Sequence, residues 1–411
     1  MIKPSLPLPE PLRAAEVPSF TNTSVVVRLP NIARRVLTEN HLPPEAVEKI
    51  QTLIAEIPDA PVRLVELPLA AHAEEWADHI RPYIGQNWLE IPWFFAEEYF
   101  YVRILEATGY FTPGDGLHRD PYAAQKQLGL LAARKDLEVL AQQVRVALAL
   151  PEEGKHDAFS RLLLVDLWGN QNDLSMWPVR QDGEELSGGS AGAEIQSAEE
   201  HVLADDRSAL LEFLDSRKGR DIEVVIVLDN AGYELAADLA LADFLLESKL
   251  AARVVLHTKS HPVFVSDALN TDVHTTLDTI LLSNSFAAKE MAVRLRISLL
   301  TGQLRVRHHP FWTSPLPLWE MPDDLLEELR TTDLLISKGD ANYRRLLDDR
   351  HWPIDLPFQQ VVGGYPFGVL ALRTLKSEIA VGISPENVPA DDPDWMINGR
   401  WGLIQFSTAV Q

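Results

Sequence analysis

The chain contains no cysteine. Disulfides and thiolate metal sites are therefore excluded. It also lacks a long apolar run: nothing in its 411 residues is apolar over the length a bilayer demands. The proline-rich start, MIKPSLPLPEPLRAAEVPSF, has no continuous apolar signal core. These absences fit a cytoplasmic protein without a membrane partner. A basic run is missing too. The formal net charge is −23 with no Lys/Arg stripe, which argues against a nucleic-acid partner. Such a surface repels a phosphorylated ligand at long range, so a site for one needs local cations or a metal. Familiar catalytic signatures are absent as well. There is no GxxxxGK(S/T) phosphate loop, GxSxG elbow, HExxH or dinucleotide-binding glycine fingerprint. Asp166 is followed two places on by Trp168, not by the second acid that an aspartyl-phosphate phosphatase places there. No feature calls for an obligate protein partner.

What is present divides by texture. Residues 1–29 read as an extended N-terminal arm. Residues 30–155 read as helical: LPPEAVEKIQTLIAEI, PWFFAEEYFYVRILEATGYF and AAQKQLGLLAARKDLEVLAQQVRVALAL repeat apolar residues at helical spacing. Within them, Glu98 and Arg103 read as structural ion-pair partners. Residues 156–411 change character. RLLLVDLWGN, VVIVLDN, RVVLHTKS, DLLISKGD and VLALRTLKSEIAVGI are short apolar runs ending in polar loops. Helical segments lie between the first four, the mark of a mainly parallel α/β sheet covered by helices. The stretch QDGEELSGGSAGAEIQSAEE, residues 181–200, reads as a mobile surface loop.

Open parallel sheets bind ligands beyond the carboxyl ends of their strands, near a topological switch point. The first run delivers Asp166, Gly169, Asn170 and Asp173 there. The second delivers Asp229 and Asn230. The third leads through His257, Lys259 and His261 to Asp267. The fourth gives Lys338, Gly339 and Asp340, with Asn342, Tyr343 and Arg344 opening the next helix. The last gives Arg373, Thr374 and Lys376. Carboxylate and carboxamide oxygens without sulfur suit Mg²⁺, Mn²⁺ or a similar octahedral ion. Asp229, Asn230 and Asp267 leave coordination positions for water and substrate. Gly232 allows a tight turn, and the helix after it could aim its N–H groups at an anion. Plainer readings stay open. Asp229–Asn230 and Asp340 could be helix caps, and Lys376 could be a solvated charge. His257 and His261, four apart, could bind zinc, but they straddle a strand end rather than share a helix face.

Taken in order, LWGNQNDLS, VLDNAGYELAADL, HTKSHPVFVSDA, KGDANYRRL and RTLK resemble the damage-control phosphatase family. The closest likeness is to its acidic-residue methyltransferase-like branch, marked by an RTxK tetrad, here Arg373 to Lys376. The resemblance covers most of the chain. It implies a three-layer α/β/α domain preceded by a mainly helical N-terminal region. It implies a metal-dependent phosphatase of small phosphorylated metabolites, including sugar phosphates such as fructose 1-phosphate. By the family pattern a divalent ion (Mn, Co, Ni or Mg) falls on Asp229, Asn230 and Asp267. Substrate contacts fall on those three residues, on Asp340, Ala341, Asn342, Tyr343 and Arg344, and on Lys376. Asn170 and Arg373 are further candidates. Lys338, Arg344 and Lys376 would be the local cations that overcome the negative field. Asp229 or Asp340 would position the attacking water, and a covalent aspartyl intermediate is an alternative. Ser260 and Val263 stand where relatives often carry proline and an aromatic residue.

Two rival functions follow from the same residues. One member of the branch is described as a carboxyl methyltransferase using S-adenosylmethionine, with a contact falling on Glu234. The other rival is a non-catalytic metabolite-binding protein.

Overall fold

The computed structural model describes residues 4, 6–169 and 198–409. Asn170, Asp173 and nearly all of the loop expected at 181–200 lie outside them.

Seven strands form one sheet: β1 (Val202–Asp205), β2 (Glu223–Val227), β3 (Arg253–Thr258), β4 (Leu304–His308), β5 (Leu334–Lys338), β6 (Gly368–Thr374) and β7 (Gly402–Ser407). Their order is β1-β7-β6-β5-β2-β3-β4. Every pairing is parallel except β6 with β7. From β2 the chain moves to β3 and β4 on one side. It then returns to lay β5 against the other side of β2. The strand order therefore reverses between β2 and β5, which is where such sheets open a crevice.

The alternation of side chains along β2 shows why there are three layers. Val225 and Val227 face one core, shared with Val255 and Leu335 and with Val25, Trp93, Phe95 and Tyr99 of the N-terminal helical region. Val224 and Ile226 face a second core. It is shared with the helices Arg134–Leu148, Glu152–Leu167, Tyr233–Glu247 and Phe286–Thr301. A strand buried on both faces has to be apolar throughout, and EVVIV nearly is.

Two expectations are corrected. RLLLVDLW is not a strand but the end of the helix Glu152–Leu167. Leu162 through Leu167 are all buried, and a short helix segment buried all round has the same apolar run as a buried strand. The N-terminal arm is extended only to Ser19. Phe20–Thr23 is α-helical, Ser24–Arg28 is a π-helical turn, and Leu29–Glu39 continues as α-helix. The wide turn closes with Leu29 N–H donating to the Ser24 carbonyl. Pro30, just beyond it, has no N–H to close an ordinary turn. The arm itself is docked: Leu12 N–H donates to the Asp349 carbonyl at 2.7 Å.

The helical region is joined to the sheet domain by ion pairs as well as by the shared core. Glu98 meets Arg345 at 3.1 Å across this junction, and Arg103 meets Glu56 at 2.6 Å within the helical region. Both are the structural pairings expected for them.

Candidate active site

Asp229 stands just past the end of β2, at the reversal in strand order. There the chain continues as a short antiparallel ladder rather than a free loop. Asn230 pairs with Asp267. Ala231 N–H donates to the Ser266 carbonyl at 2.7 Å, and Ala268 N–H donates to the Asp229 carbonyl at 2.7 Å. Three oxygen-bearing side chains from segments far apart in sequence are thus fixed by backbone hydrogen bonds. Gly232, at φ +83°, turns the chain into the helix Tyr233–Glu247, whose first turn carries Glu234. The approach to Asp267 is strained. Phe264 and Val265 have φ of 47° and 68°, where β-branched and bulky residues seldom go.

Glycine is required at one further point. At Gly339, φ is +79°, and a Cβ would fall 1.9 Å from Asp229 Oδ2. The end of β5 can lie against Asp229 only because no side chain intervenes.

The electrostatics at the strand ends are unbalanced in a telling way. Burial, then the neighbouring Asp267 and Glu234, push the Asp229 carboxyl well above its ordinary range. Burial raises Asp267 to about 6, although Lys259 stands 3.2 Å away. Asp229 Oδ1 is buried and has no hydrogen-bond partner among the described residues. Asn230 donates its amide to Asp229 Oδ2 at 2.7 Å and to Glu234 Oε2 at 2.9 Å, while its oxygen accepts from Ser266. That arrangement leaves a lone pair on the Asn230 oxygen. Crowded carboxylates with an orphaned oxygen, an adjoining amide oxygen and no sulfur are a donor set that fits a hard divalent cation. The histidines do not share such a site. His257 accepts from the Trp312 indole at 3.0 Å, and His261 stacks on His72 with centroids 5.5 Å apart.

A cleft of about 510 Å³ opens over these residues. Asp229, Asn230, Glu234, Asp267, Gly339, Asp340, Ala341, Arg344 and Lys376 all line it. Four expected contacts lie behind its wall instead. Lys338 is buried among Asp238 at 2.9 Å, Asp166 at 3.0 Å and Glu234 at 3.5 Å. Asn342 is engaged by the Lys338 and Leu228 carbonyls and by Lys259. Tyr343 donates to Gln405 at 2.8 Å, and Arg373 donates to Asp340 at 2.8 Å. Each has spent its polar atoms on the scaffold.

Arg344 reaches the cleft but is committed. It is bidentate to Asp349, ion-paired to Glu97 and stacked on Trp93 at 3.8 Å. Lys376 makes no ion pair among the described residues, and only its backbone N–H is engaged, by Asp340 at 3.3 Å. Burial alone would raise Asp340. Arg373, Arg344 and the Ser377 hydroxyl instead hold its carboxyl below the usual range, so it is anionic.

Known proteins match most of the chain. The family model described as the damage-control phosphatase ARMT1-like domain matches residues 24–390. A Mus musculus protein named damage-control phosphatase ARMT1 is 31% identical over 441 aligned positions, spanning 96% of this chain and 98% of that protein. Its namesake from Danio rerio is 34% identical, spanning 78% and 75%. The chain belongs to the damage-control phosphatase family. A solved structure titled as a DUF89 family protein from Pyrococcus horikoshii covers 93% of this chain and 97% of that chain at 14% identity, with a TM-score of 0.47.

For this family member, sequence reasoning missed the far wall of the cleft. Phe20, Arg28 and Trp93 come from the N-terminal region, and Phe264, Ser266, Asn398 and Gly399 from loops. Arg28 fell within the segment read as an arm. Glu97, fully buried, ties both Arg28 and Arg344. The one available signal was a charged pair, Glu97–Glu98, inside the aromatic run WFFAEEYFY. Buried acids need partners.

Proposed function

We propose that this chain is a metal-dependent phosphatase acting on small phosphorylated metabolites, sugar phosphates such as fructose 1-phosphate among them. The observation that carries the reading is the ladder pairing Asn230 with Asp267 beside the orphaned Asp229 oxygen, in the same cleft as Lys376, which makes no ion pair among the described residues. Asp229, Asn230 and Asp267 are the residues that would hold the ion. A divalent ion there supplies a Lewis acid beside the phosphoryl group and lowers the pKa of a water. Lys376 offers the phosphate a cation from the turn after β6. The first turn of the helix Gly339–Leu347 faces the same space, with Gly339, Asp340 and Ala341 in the lining. Its N–H groups favour an anion. Asp340, kept ionised, orients a water or a substrate hydroxyl by accepting its proton in a hydrogen bond.

The methyltransferase reading has less room. Glu234, the residue it would use, already binds Asn230 through Oε2 and faces Lys338 through Oε1. The test is phosphate release from a panel of sugar phosphates by chelator-treated protein, with Mn²⁺, Co²⁺, Ni²⁺ or Mg²⁺ restored singly. Metal-stimulated release is expected. Tight sugar-phosphate binding with no release under any ion would favour the non-catalytic reading.

A further inference from the structure

Lys338, Arg344, Arg373, Lys376 and Arg28 border or approach the cleft, and they differ sharply in freedom. Lys338, Arg344 and Arg373 have side chains 1%, 4% and 0% exposed, each locked to carboxylates. Lys376 is open to the cleft. The fifth, Arg28, is 42% exposed at its side chain and lines the same space.

Arg28 is aimed but not saturated. Its Nε and Nη2 donate to Ser24 Oγ at 3.0 and 2.8 Å. Nη2 also meets Glu97 Oε1. Nη1 makes no hydrogen bond among the described residues. Glu97 is shared, its other oxygen being held by Arg344, which also carries Asp349. The π-helical turn Ser24–Arg28 sets Arg28 beside Ser24 on the cleft side. Turns of that kind recur where a side chain must be re-aimed at a site.

Position says what Arg28 faces. It lines the cleft beside Phe20 and Trp93 of the N-terminal helical region, whereas Asp229, Asn230, Asp267 and Lys376 line it from segments that follow the strands. Arg28 therefore belongs to the helical wall of the cleft, not to the strand-end wall that carries Asp229, Asn230, Asp267 and Lys376. We infer that Arg28 is a specificity-determining contact for the leaving-group part of the substrate. Its free Nη1 donates to hydroxyl or carboxylate oxygens of a polyhydroxylated alcohol, while Lys376 attends to the phosphoryl group. This rests on the phosphatase reading above.

The experiment compares two esters that share a phosphate but not a leaving group: fructose 1-phosphate and phenyl phosphate. The Arg28→Met variant should raise KM for the sugar phosphate roughly tenfold to a hundredfold, the scale of a lost hydrogen bond to a charged group. Its kcat/KM for phenyl phosphate should stay within about twofold of the parent. Arg28→Lys should recover part of the loss, because it keeps charge without the fork. Ser24→Ala, which loosens the tether and leaves the guanidinium, should show a smaller loss of the same kind. Equal losses on both esters would place Arg28 on the phosphate and overturn the inference, as would no loss on either. Calorimetric binding of fructose 1-phosphate separates this from failure of the phosphatase reading. If the parent binds it without hydrolysis and Arg28→Met binds it more weakly, the contact stands and the catalytic reading falls. If the parent does not bind it, or both bind it alike, the contact falls.

Discussion

The two walls of the cleft were built differently. One comes from the carboxyl ends of β2 and β5, from the segment paired after β3 and from the turn after β6. The other comes from a π-helical turn, a buried helix and a loop. On the first wall, the candidate residues stand where each apolar run stops, so a reader of the sequence finds them by locating strand ends. On the second wall, Arg28 and Trp93 sit inside helices whose other residues serve the core. Nothing local separates them from packing residues. In a parallel sheet, position in the motif and position in space coincide. In a helical cover they do not.

The comparison can be broken most severely by removing the second wall. A fragment beginning at residue 155 would lose the partners of Arg344 and Arg345, namely Glu97 and Glu98. It would also expose the sheet face packed on Trp93, Phe95 and Tyr99. Arg345 would lose its one carboxylate and Arg344 would keep only Asp349; the larger cost is the exposed apolar face, at about 1.5–3 kcal/mol for each large side chain no longer covered, against a whole-domain stability of roughly 5–15 kcal/mol. We expect no cooperative unfolding transition by circular dichroism. A fragment that folds and keeps the same substrate ranking would show the helical wall to be dispensable.

The first wall is tested by Asp267→Ala. The backbone ladder holding Asp267 does not depend on its side chain, so the fold should be kept, but buried Lys259 loses its carboxylate and stability should fall by up to about 3–5 kcal/mol. Phosphate release should fall by roughly a hundredfold to a thousandfold or more, the scale of removing a charged group that acts in the transition state. Calorimetric affinity for Mn²⁺ should fall with it. A folded variant with parental activity would remove Asp267 from the site.

Two lysines sharpen the contrast, since both stood at strand ends in the sequence. Lys338→Met should cost stability, about 3–5 kcal/mol, by leaving Asp166, Asp238 and Glu234 buried without their cation. Lys376→Met should leave stability within about 0.5 kcal/mol. It should lower kcat/KM for sugar phosphates by roughly a hundredfold, a loss near 2–4 kcal/mol of transition-state stabilisation. Urea denaturation and steady-state kinetics on both variants check this. If the two effects were exchanged, the assignment of Lys376 to the substrate would be wrong.

These lysines also mark the limit of what was legible. The central strands β2, β3, β5 and β6 and the set Asp229, Asn230 and Asp267 could be read because apolar runs and their polar ends are local patterns. The burial of Lys338 could not. Its partners Asp166 and Asp238 lie on helices more than ninety residues away in sequence, and one of those helices was read as a strand. The short edge strands β1 and β4 and the antiparallel β7 were missed for a related reason. LRVRH carries charge at alternate positions, as an exposed edge does, and so lacks the apolar run that identified the interior strands. The commitment of Arg344 to Asp349 and Glu97 was equally hidden, because a cation at the start of a helix looks the same whether it meets substrate or scaffold.

The smallest expected effect concerns His257, at the end of β3 but engaged with Trp312 rather than with Asp229, Asn230 and Asp267. Its Nδ1 accepts the Trp312 indole N–H at 3.0 Å, so the ring must be neutral there. Burial, followed by the nearby His309, Arg307 and His308, lowers its pKa to about 3. Glu328 is 3.8 Å away but half exposed to solvent, and it does not reverse this. In the unfolded chain the same imidazole titrates near 6.5. Between those values the unfolded state binds a proton that the folded state refuses, so stability rises with pH through that window. The full contribution is present above about pH 6.5 and is lost progressively as pH falls. From pH 6.5 to pH 5 the loss is at most about 2 kcal/mol. His257→Gln keeps an acceptor for the indole and cannot titrate. Its stability should therefore fall less than the parent's between pH 7 and pH 5. Glu98, raised to about 7 by burial, acts in the opposite direction, but it is common to both proteins and cancels in the difference. Denaturant midpoints at the two pH values measure it, and an equal fall in parent and variant would show that His257 is not held neutral by the fold.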